Sequence, residues 1–214
     1  MDDFTLFDII AALVLAARWT LALTAVAFAG GGAMGLLILL ARIDRRVWLA
    51  RCAKGYIGLF QGTPLLLQLF VMFFGLPLVG LRIEAWGAAT VALTAYASAY
   101  LAEIWRGGVE ALPQGQWEAA AALGLHRLVI LARVILPQAL RMTLPPTVGF
   151  LVQLIKATAV TSIIGFTEMI KTANILNNAT FEPFTVYGFV ALIYFAMCFP
   201  LTSYSRRLEA ARRS

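Results

Sequence analysis

Length, composition and charge exclude an ordinary soluble enzyme. The chain has 214 residues, of which 61% are hydrophobic and only 13% are charged, whereas a soluble domain carries about 25% charged residues. A soluble core of this size could not bury so much apolar surface, so a bilayer is the simplest environment for it. The net charge is +6, which we attribute to membrane topology rather than to nucleic-acid binding. We expect one transmembrane domain over residues 1–214.

Five apolar stretches are long enough to cross a membrane, because about 20 apolar residues span a hydrocarbon core of roughly 30 Å. They are residues 19–41, 57–79, 86–105, 147–166 and 186–205. Residues 4–17 are also apolar, but Asp8 interrupts them, and we expect an interfacial lead-in there, with a sixth span as the alternative. The chain begins Met1-Asp2-Asp3 without the basic region of a secretory signal, so this stretch is expected to stay in the mature protein. The predicted fold is an all-α integral membrane domain.

Basic residues set the predicted orientation, because cytoplasmic loops carry an excess of Lys and Arg. Thirteen of the 17 basic residues lie in the loop after the first span, in the segment after the third span and in the C-terminal tail. The opposite side holds Arg82 and Lys171. We therefore expect the N-terminus outside and the C-terminus in the cytoplasm, which is also what five spans require.

The largest cytoplasmic segment, residues 107–143, is predicted to contain two short helices that meet at Gly124. The Ala-rich residues 116–123 come directly before Gly124, and glycine is the residue expected just past a helix end. The next stretch, 125–136, is apolar, but as a helix it reaches only about 18 Å and cannot span. We expect Pro137 to close this second helix, which would lie at the membrane interface or against other helices.

One motif in this segment resembles the EAA motif of bacterial ABC importer permeases. It reads Glu118-Ala119-Ala120, three residues, Gly124, nine residues, then Val134-Ile135-Leu136-Pro137. Val134 stands where that motif has Ile. The stretches 61–77 and 99–118 are similar to the polar amino-acid uptake subfamily of these permeases, and the family core extends over residues 18–205.

This resemblance implies a type I ABC importer permease with a cytoplasmic coupling helix between its third and fourth spans. The residues implied in coupling to the ATPase are Glu118, Ala119, Ala120, Gly124, Leu136 and Pro137. The implied partners are two ATPase subunits, a second permease subunit (identical or homologous) and an external amino-acid-binding protein, in the bacterial cytoplasmic membrane. No G-x-x-x-x-G-K-[ST] loop occurs in the sequence, so ATP and Mg are expected on the ATPase. We expect this chain to hold no cofactor and to be no enzyme.

The fourth predicted span offers a small, polar face for a substrate pathway. Polar residues inside spans usually face the protein interior or a watery cavity, and this face contains Gln153, Ala157, Thr161, Gly165 and Glu168. Spacings of four and three place them on one side of a helix. Glu168 would either bind an amino group or cationic side chain, or be an exposed acid paired with Lys171.

Further polar residues have two interpretations each. Thr94 and Ser98 line a pathway or bond to neighbouring helices, and Gln61 precedes a Gly62-Thr63-Pro64 break of the kind found beside substrate in transporters. Lys156 is either paired within the structure or part of an internal gate. For Glu103 and Arg106, at i and i+3, we expect an ion pair.

An ion-coupled secondary carrier is the main alternative function. Such carriers often contain internal repeats, which this sequence lacks, and they would leave Glu118-Ala119-Ala120 unexplained. A membrane enzyme is disfavoured because one histidine and two distant cysteines form no catalytic cluster. Gly31 and Gly35, in a glycine-rich stretch of the first span, are expected to allow close helix packing.

Overall fold

The structure, a computed structural model, describes residues 5–213, so the N-terminal Met1-Asp2-Asp3 lies outside the described residues. Within the described part every regular element is helical, which confirms the all-α class. In chain order the helices are α1 (Leu6–Arg42), α2 (Val47–Gly62), α3 (Leu65–Leu78), α4 (Ala85–Glu110), α5 (Gln114–Ala122), α6 (Arg127–Ile164), α7 (Met169–Thr180) and α8 (Pro183–Arg213).

Helix α1 is continuous over 37 residues, so the residues around Asp8 belong to the same helix as the first predicted span, and an interfacial position for them stays a prediction. Asp8 itself belongs to the helix N-terminus. Its carboxylate accepts from the backbone N–H of Thr5 at 3.0 Å, and the Thr5 hydroxyl accepts from the N–H of Asp8 at 3.3 Å. This reciprocal capping box stabilises the first turn. Because α1 runs without a break from Leu6 to Arg42, the alternative of a separate sixth span over residues 4–17 is wrong.

Helices α1 and α4 pack closely through the glycines of α1. A Cβ atom added at Gly31 would lie 2.5 Å from the Cβ of Ala97, and one at Gly35 would lie 3.0 Å from the carbonyl oxygen of Ser98. Real Cβ atoms do not approach so closely, so the two backbones can meet only because these positions have no side chain. The expectation of close helix packing is confirmed.

The second predicted span is bent by 104° between α2 and α3. It begins at Val47 rather than at residue 57, and the bend falls at Thr63-Pro64, where the sequence indicates a break. The side-chain amide of Gln68 donates to the carbonyl oxygens of Phe60 and Thr63 at 2.9 and 3.0 Å. Gln68 thereby satisfies backbone acceptors that the interrupted helix leaves without N–H partners.

Helix α6 is one continuous helix from Arg127 to Ile164, so the expectation that Pro137 closes a short interfacial helix is wrong. A π-helical turn, Leu131–Ile135, comes directly before the proline. A proline inside an α-helix lacks one N–H and clashes with an earlier carbonyl, and the wider i→i−5 turn relieves both problems. The predicted second short helix is thus the first part of the fourth span.

Among residues 5–213, three helices are long and apolar enough to cross a membrane: α1, α6 and α8. The bent pair α2 and α3 passes the same test together and makes a fourth. Helix α4 has 26 residues, enough to span, but its many Ala, Thr and Tyr residues make it less apolar. It lies at the centre of the main core, against α1, α3 and α6. The count of five spans therefore stays a prediction.

Candidate functional site

Helix α5, the predicted coupling helix, is joined to α6 by a tight turn. Gly124 in this turn has φ +72°, in the left-handed region that favours glycine. The Nδ1 atom of His126 then accepts from the backbone N–H of Leu128 at 3.4 Å and caps the start of α6. The predicted short helix and glycine turn are therefore present, and the second helix is the first part of α6.

The EAA residues have different surroundings in α5. Ala120 is buried against Leu39, Ile130 and Ile135, whereas Glu118 and Ala119 are exposed. Small residues let α5 lie close against the C-terminal end of α1 and the N-terminal part of α6. The structure thus leaves the Glu118 side of the helix open to a partner.

Side-chain hydrogen bonds connect this region to the span helices. Gln138 Nε2 on α6 donates to Gln116 Oε1 on α5 at 3.4 Å. The Arg127 guanidinium donates to the carbonyl oxygen of Ile43 at 3.2 Å, and a cation near the end of α1 is also favoured by the helix dipole. The first of these bonds links α5 to α6, and the second links α6 to the C-terminal end of α1.

An open groove of about 720 Å³ runs beside Glu118. Its lining residues are Arg45, Gln114, Trp117, Glu118, Ala121, Leu125, Arg127 and Ile130. Next to it, Leu123 and Leu128 are 79% and 67% exposed, and no atom lies within 4 Å of a Cβ added at Gly124. Exposed leucines around a groove with charged sides are typical of a protein-docking surface.

Leu136 and Pro137, the last residues of the motif, lie beyond this groove. Leu136 packs against the buried cluster that holds Ala120, and Pro137 is exposed just after the π-helical turn. Their position suits a role in fixing the start of α6 rather than direct contact with a partner.

The C-terminal end of α4 carries a network of ion pairs. Arg106 contacts Glu103 at 2.7 Å and also pairs with Glu110. The Nε atom of Arg42 lies 4.0 Å from the Glu103 carboxylate. The expected pairing of Glu103 with Arg106 is confirmed, and it balances charge where α1 and α4 leave the core.

The predicted polar face of the fourth span does not persist along α6. Residues Thr158–Ile164 are wound as a 3₁₀ helix and Gly165 has φ +88°, so the four-residue spacing no longer marks one side. Thr161 is buried and its hydroxyl donates to the carbonyl oxygen of Thr158 at 2.7 Å. Gln153 is exposed, and its amide donates to the Tyr96 hydroxyl at 3.1 Å.

Glu168 is a buried capping residue. Its side chain is 0% exposed; one carboxylate oxygen accepts from the backbone N–H of Lys171 at 2.9 Å, and the other from the Thr20 hydroxyl at 3.4 Å. Burial raises the pKa of the Glu168 carboxyl, and the hydrogen bonds that it accepts oppose this rise. The expectation of an exposed acid paired with Lys171 is wrong, since Lys171 contributes its backbone. A substrate contact by Glu168 stays a prediction that requires this turn to open.

Thr94 and Ser98 both lie at contacts between helices. The Thr94 side chain faces the backbone of Gly30 on α1. Ser98 is fully buried and lies 2.8 Å from the Tyr56 hydroxyl on α2. The expected bonding to a neighbouring helix is confirmed for Ser98, whereas Thr94 packs against Gly30. Gln61 is exposed, with its amide 3.5 Å from the carbonyl oxygen of Ala99.

The open side of α6 runs instead through Gly149, Gln153 and Lys156. Spacings of four and three residues place these on one side of the α-helical part of α6. Sequence reasoning also overlooked Gln68 and Thr20. A glutamine in the apolar run after Thr63-Pro64 could have indicated Gln68, whereas the Thr20 contact depends on the tertiary fold.

Comparison with known proteins agrees with this geometry. A family model described as "Binding-protein-dependent transport system inner membrane component" matches residues 31–214. The chain is 38% identical over 180 residues to the "Probable amino-acid ABC transporter permease protein YckA" of Bacillus subtilis (strain 168), covering 84% of this chain and 80% of that protein. It is 34% identical over 183 residues to the "Probable glutamine ABC transporter permease protein GlnM" of the same organism, covering 86% and 85%.

A solved structure is similar over almost its whole length. It is described as "Crystal structure of an amino acid ABC transporter with histidines", and it shares 35% identity with a TM-score of 0.87, covering 95% of this chain and 94% of that one. The helical fold and the exposed EAA turn thus define a permease of a binding-protein-dependent transport system. The chain belongs to this family, among the amino-acid ABC transporter permeases.

Proposed function

We propose that this chain is the transmembrane subunit of an ATP-driven amino-acid uptake system. Two permease subunits, identical or homologous, form the translocation pathway, and two ATPase subunits bind at α5. An external binding protein delivers the amino acid, and ATP and Mg bind the ATPase. The cytoplasmic side is the side of α5, which places the N-terminus outside and the C-terminus inside.

The observation that carries this proposal is the exposed turn of α5 and Gly124 at the end of a rigid helix. Glu118 lies on an open groove, while Ala120 fixes the opposite side of α5 in a buried cluster. Movement of an ATPase bound at Glu118 would be transmitted through this cluster to α1 and α6. A helix that moves as a rigid lever is a known way to couple sites at a distance.

Polar residues at the open sides of α2 and α6 support a pathway shared with a second subunit. Gln61 and Gln153 both face outward from the helix core of the single chain. Exposed amides in membrane-spanning helices are costly against lipid, so they are better placed against a hydrated cavity or a partner subunit.

Charge reversal at Glu118 tests the coupling surface. The permease is co-expressed with a candidate ABC ATPase from the same genome, and ATPase retained on the tagged permease is measured after detergent extraction. Glu118→Lys places a cation beside Arg45 and Arg127 in the groove, and we expect about tenfold less retained ATPase, equivalent to roughly 1.4 kcal/mol.

The matched control is Glu182→Lys, the same reversal at an exposed position between α7 and α8. It lies on the side that we assign to the outside, so ATPase retention should equal that of the unaltered chain. Equal retention in the Glu118 variant would contradict ATPase binding at α5.

A further inference from the structure

The first half of α2 exposes basic and apolar side chains on the same side of the helix. Spacings of four and three residues place Val47, Arg51 and Lys54 on one side, and Trp48 lies next to them. Arg51 and Lys54 are exposed, and Val47 and Trp48 are 59% and 61% exposed. The opposite side, which includes Ile57, is buried against α4. We call Val47, Trp48, Arg51 and Lys54 the basic face of α2.

The positive charge of this face is not neutralised by acidic side chains of the described chain. Arg46, the exposed residue that precedes α2, adds a third cation. The ion pairs found among residues 5–213 include none with Arg46, Arg51 or Lys54. Asp44 is the one acid of the sequence between residues 43 and 83, and its carboxylate accepts from the backbone N–H of Arg46 at 2.7 Å. The three cations are therefore available to a negative charge from outside the chain.

The depth of the basic face follows from a contact between α2 and α1. The Tyr56 hydroxyl lies 4.0 Å from Met34 Sδ. Eight positions separate Met34 from Arg42, the last residue of α1, and eight separate Trp48 from Tyr56. At about 1.5 Å per residue, Trp48 and Arg42 each lie roughly 12 Å along their helices from this contact, towards the same end. Helix α2 then continues into the bent span, so its first half crosses the polar layer of the bilayer, about 5–7 Å thick.

Lipid headgroups suit this face better than a protein partner does. Basic side chains beside an exposed tryptophan are typical of helices at the surface of an anionic bilayer. The grooves beside the coupling helix are lined by Arg45 but by no residue of the basic face, so the proposed ATPase surface ends before α2. A second copy that met this face across a twofold axis would bring like charges together.

We propose that the basic face of α2 binds anionic phospholipid headgroups in the leaflet on the side of α5. Arg51 and Lys54 donate to the phosphate oxygens, while their methylene stems follow the apolar edge of the bilayer. Trp48 lies between the headgroups and the acyl chains, where tryptophan is enriched. Arg46 extends the positive surface towards water. Binding at this face requires only that the chain is in a membrane, so it does not depend on the proposed function.

Cys52 places a reporter beside this face, because it is exposed and lies one helical turn after Trp48. In a Cys198→Ser background it is the one remaining thiol of the sequence, and it is labelled with the uncharged fluorophore bimane. The permease with its ATPase is placed in phosphatidylcholine vesicles. A growing fraction of the lipid is then replaced by phosphatidylglycerol or phosphatidylcholine that is brominated near the glycerol end of its acyl chains.

Bromine quenches a fluorophore only at short range, so the two quenching curves give the relative affinity of the two lipids for the surroundings of Cys52. We expect phosphatidylglycerol to be favoured about tenfold, because clustered Lys and Arg side chains at the membrane surface attract anionic lipid. This preference should fall as NaCl is raised to about 1 M, where the Debye length is about 3 Å. A preference that salt does not change would contradict an ionic contact.

Neutral variants assign the preference to the basic face. Arg51→Gln combined with Lys54→Gln should lower the preference for phosphatidylglycerol to about twofold or less, because most of the local positive charge is removed. The matched control is Arg18→Gln combined with Arg82→Gln, which removes the same charge from exposed positions towards the other ends of α1 and α4. The control should keep the preference of the unaltered chain. The salt dependence of the unaltered chain tests the proposal even if a variant does not assemble.

Three further results would overturn the inference. Lack of quenching by either brominated lipid would mean that the ATPase or a second permease subunit covers the basic face. Equal quenching by the two lipids would mean that lipid contacts this face without selection by charge. An equal loss of preference in the Arg18 and Arg82 control would assign the preference to the total charge of the chain rather than to α2.

Discussion

A substitution of Gly124 tests the turn on which the coupling geometry depends. Gly124 has φ +72°, where an L-residue other than glycine costs about 1–2 kcal/mol. No atom lies within 4 Å of an added Cβ, so Gly124→Ala perturbs the backbone without a steric clash. The cost corresponds to a roughly 5- to 30-fold shift away from this turn. The competing state is a helix that runs on from α5 towards α6.

Gly115→Ala is the matched control, because Gly115 lies within α5 and a Cβ there also meets nothing within 4 Å. In a helix this change is favourable by about 0.5–1 kcal/mol. Glycine-to-alanine substitution should therefore destabilise the local backbone at Gly124 and stabilise it at Gly115.

The assay is amino acid taken up per ATP hydrolysed in proteoliposomes that contain the permease and its ATPase. We expect Gly124→Ala to lower this ratio severalfold and Gly115→Ala to leave it unchanged. Gly124→Asn should retain more coupling than Gly124→Ala, since asparagine tolerates positive φ better. If the alanine variants at both positions behave alike, the left-handed turn plays no part in coupling.

Three further predictions concern packing, capping and orientation. Gly31→Ala should lower the free energy of unfolding in detergent by about 1–3 kcal/mol, because its Cβ would meet Ala97 at 2.5 Å. Gly32→Ala, whose Cβ would lie 3.8 Å from Trp105, should not lower it. Equal melting temperatures of the two variants would contradict the close α1–α4 contact. Glu168 has a raised pKa, so the folded state binds its proton more readily than the unfolded state. The stability of the fold should therefore fall as the pH rises above the ordinary glutamate pKa. Glu168→Gln should flatten this dependence of stability on pH, and an unchanged slope would count against a buried carboxyl. Cys52, exposed near the start of α2, should react with an impermeant maleimide only after cells are opened, and labelling of intact cells would reverse the assigned orientation.

Local signals predicted the elements on which the candidate site depends. Gly124 after an Ala-rich stretch predicted the turn, and Thr63-Pro64 predicted the break between α2 and α3, because glycine and proline act on the backbone of their own neighbours. The close approach of α1 and α4 likewise follows from Gly31 and Gly35.

The wrong expectations have a common cause, which is that the effect of a residue depended on its structural neighbours. Pro137 does not end its helix because a π-helical turn precedes it, and Asp8 caps α1 because Thr5 returns its hydrogen bond. A 3₁₀ segment removed the periodicity that had linked Thr161 to Gln153. A prediction from residue spacing assumes one type of helix throughout, whereas α6 contains α-helical, π-helical and 3₁₀-helical turns.

The contacts of Glu168 and Lys156 required the tertiary fold. Thr20 reaches Glu168 across 148 positions of sequence, and Lys156 lines an open groove that α6 forms with α8. Neither contact has a local signal, because each depends on how distant helices pack.

The most direct test of the central claim is the energy source of uptake. Proteoliposomes that contain the permease with its ATPase receive the loaded binding protein outside and ATP with Mg inside, and amino-acid accumulation is measured. We predict accumulation that requires ATP and the binding protein and that persists when ionophores remove the Na⁺ and H⁺ gradients. Accumulation by the permease without ATPase, driven by an imposed Na⁺ or H⁺ gradient, would contradict the account and support an ion-coupled carrier.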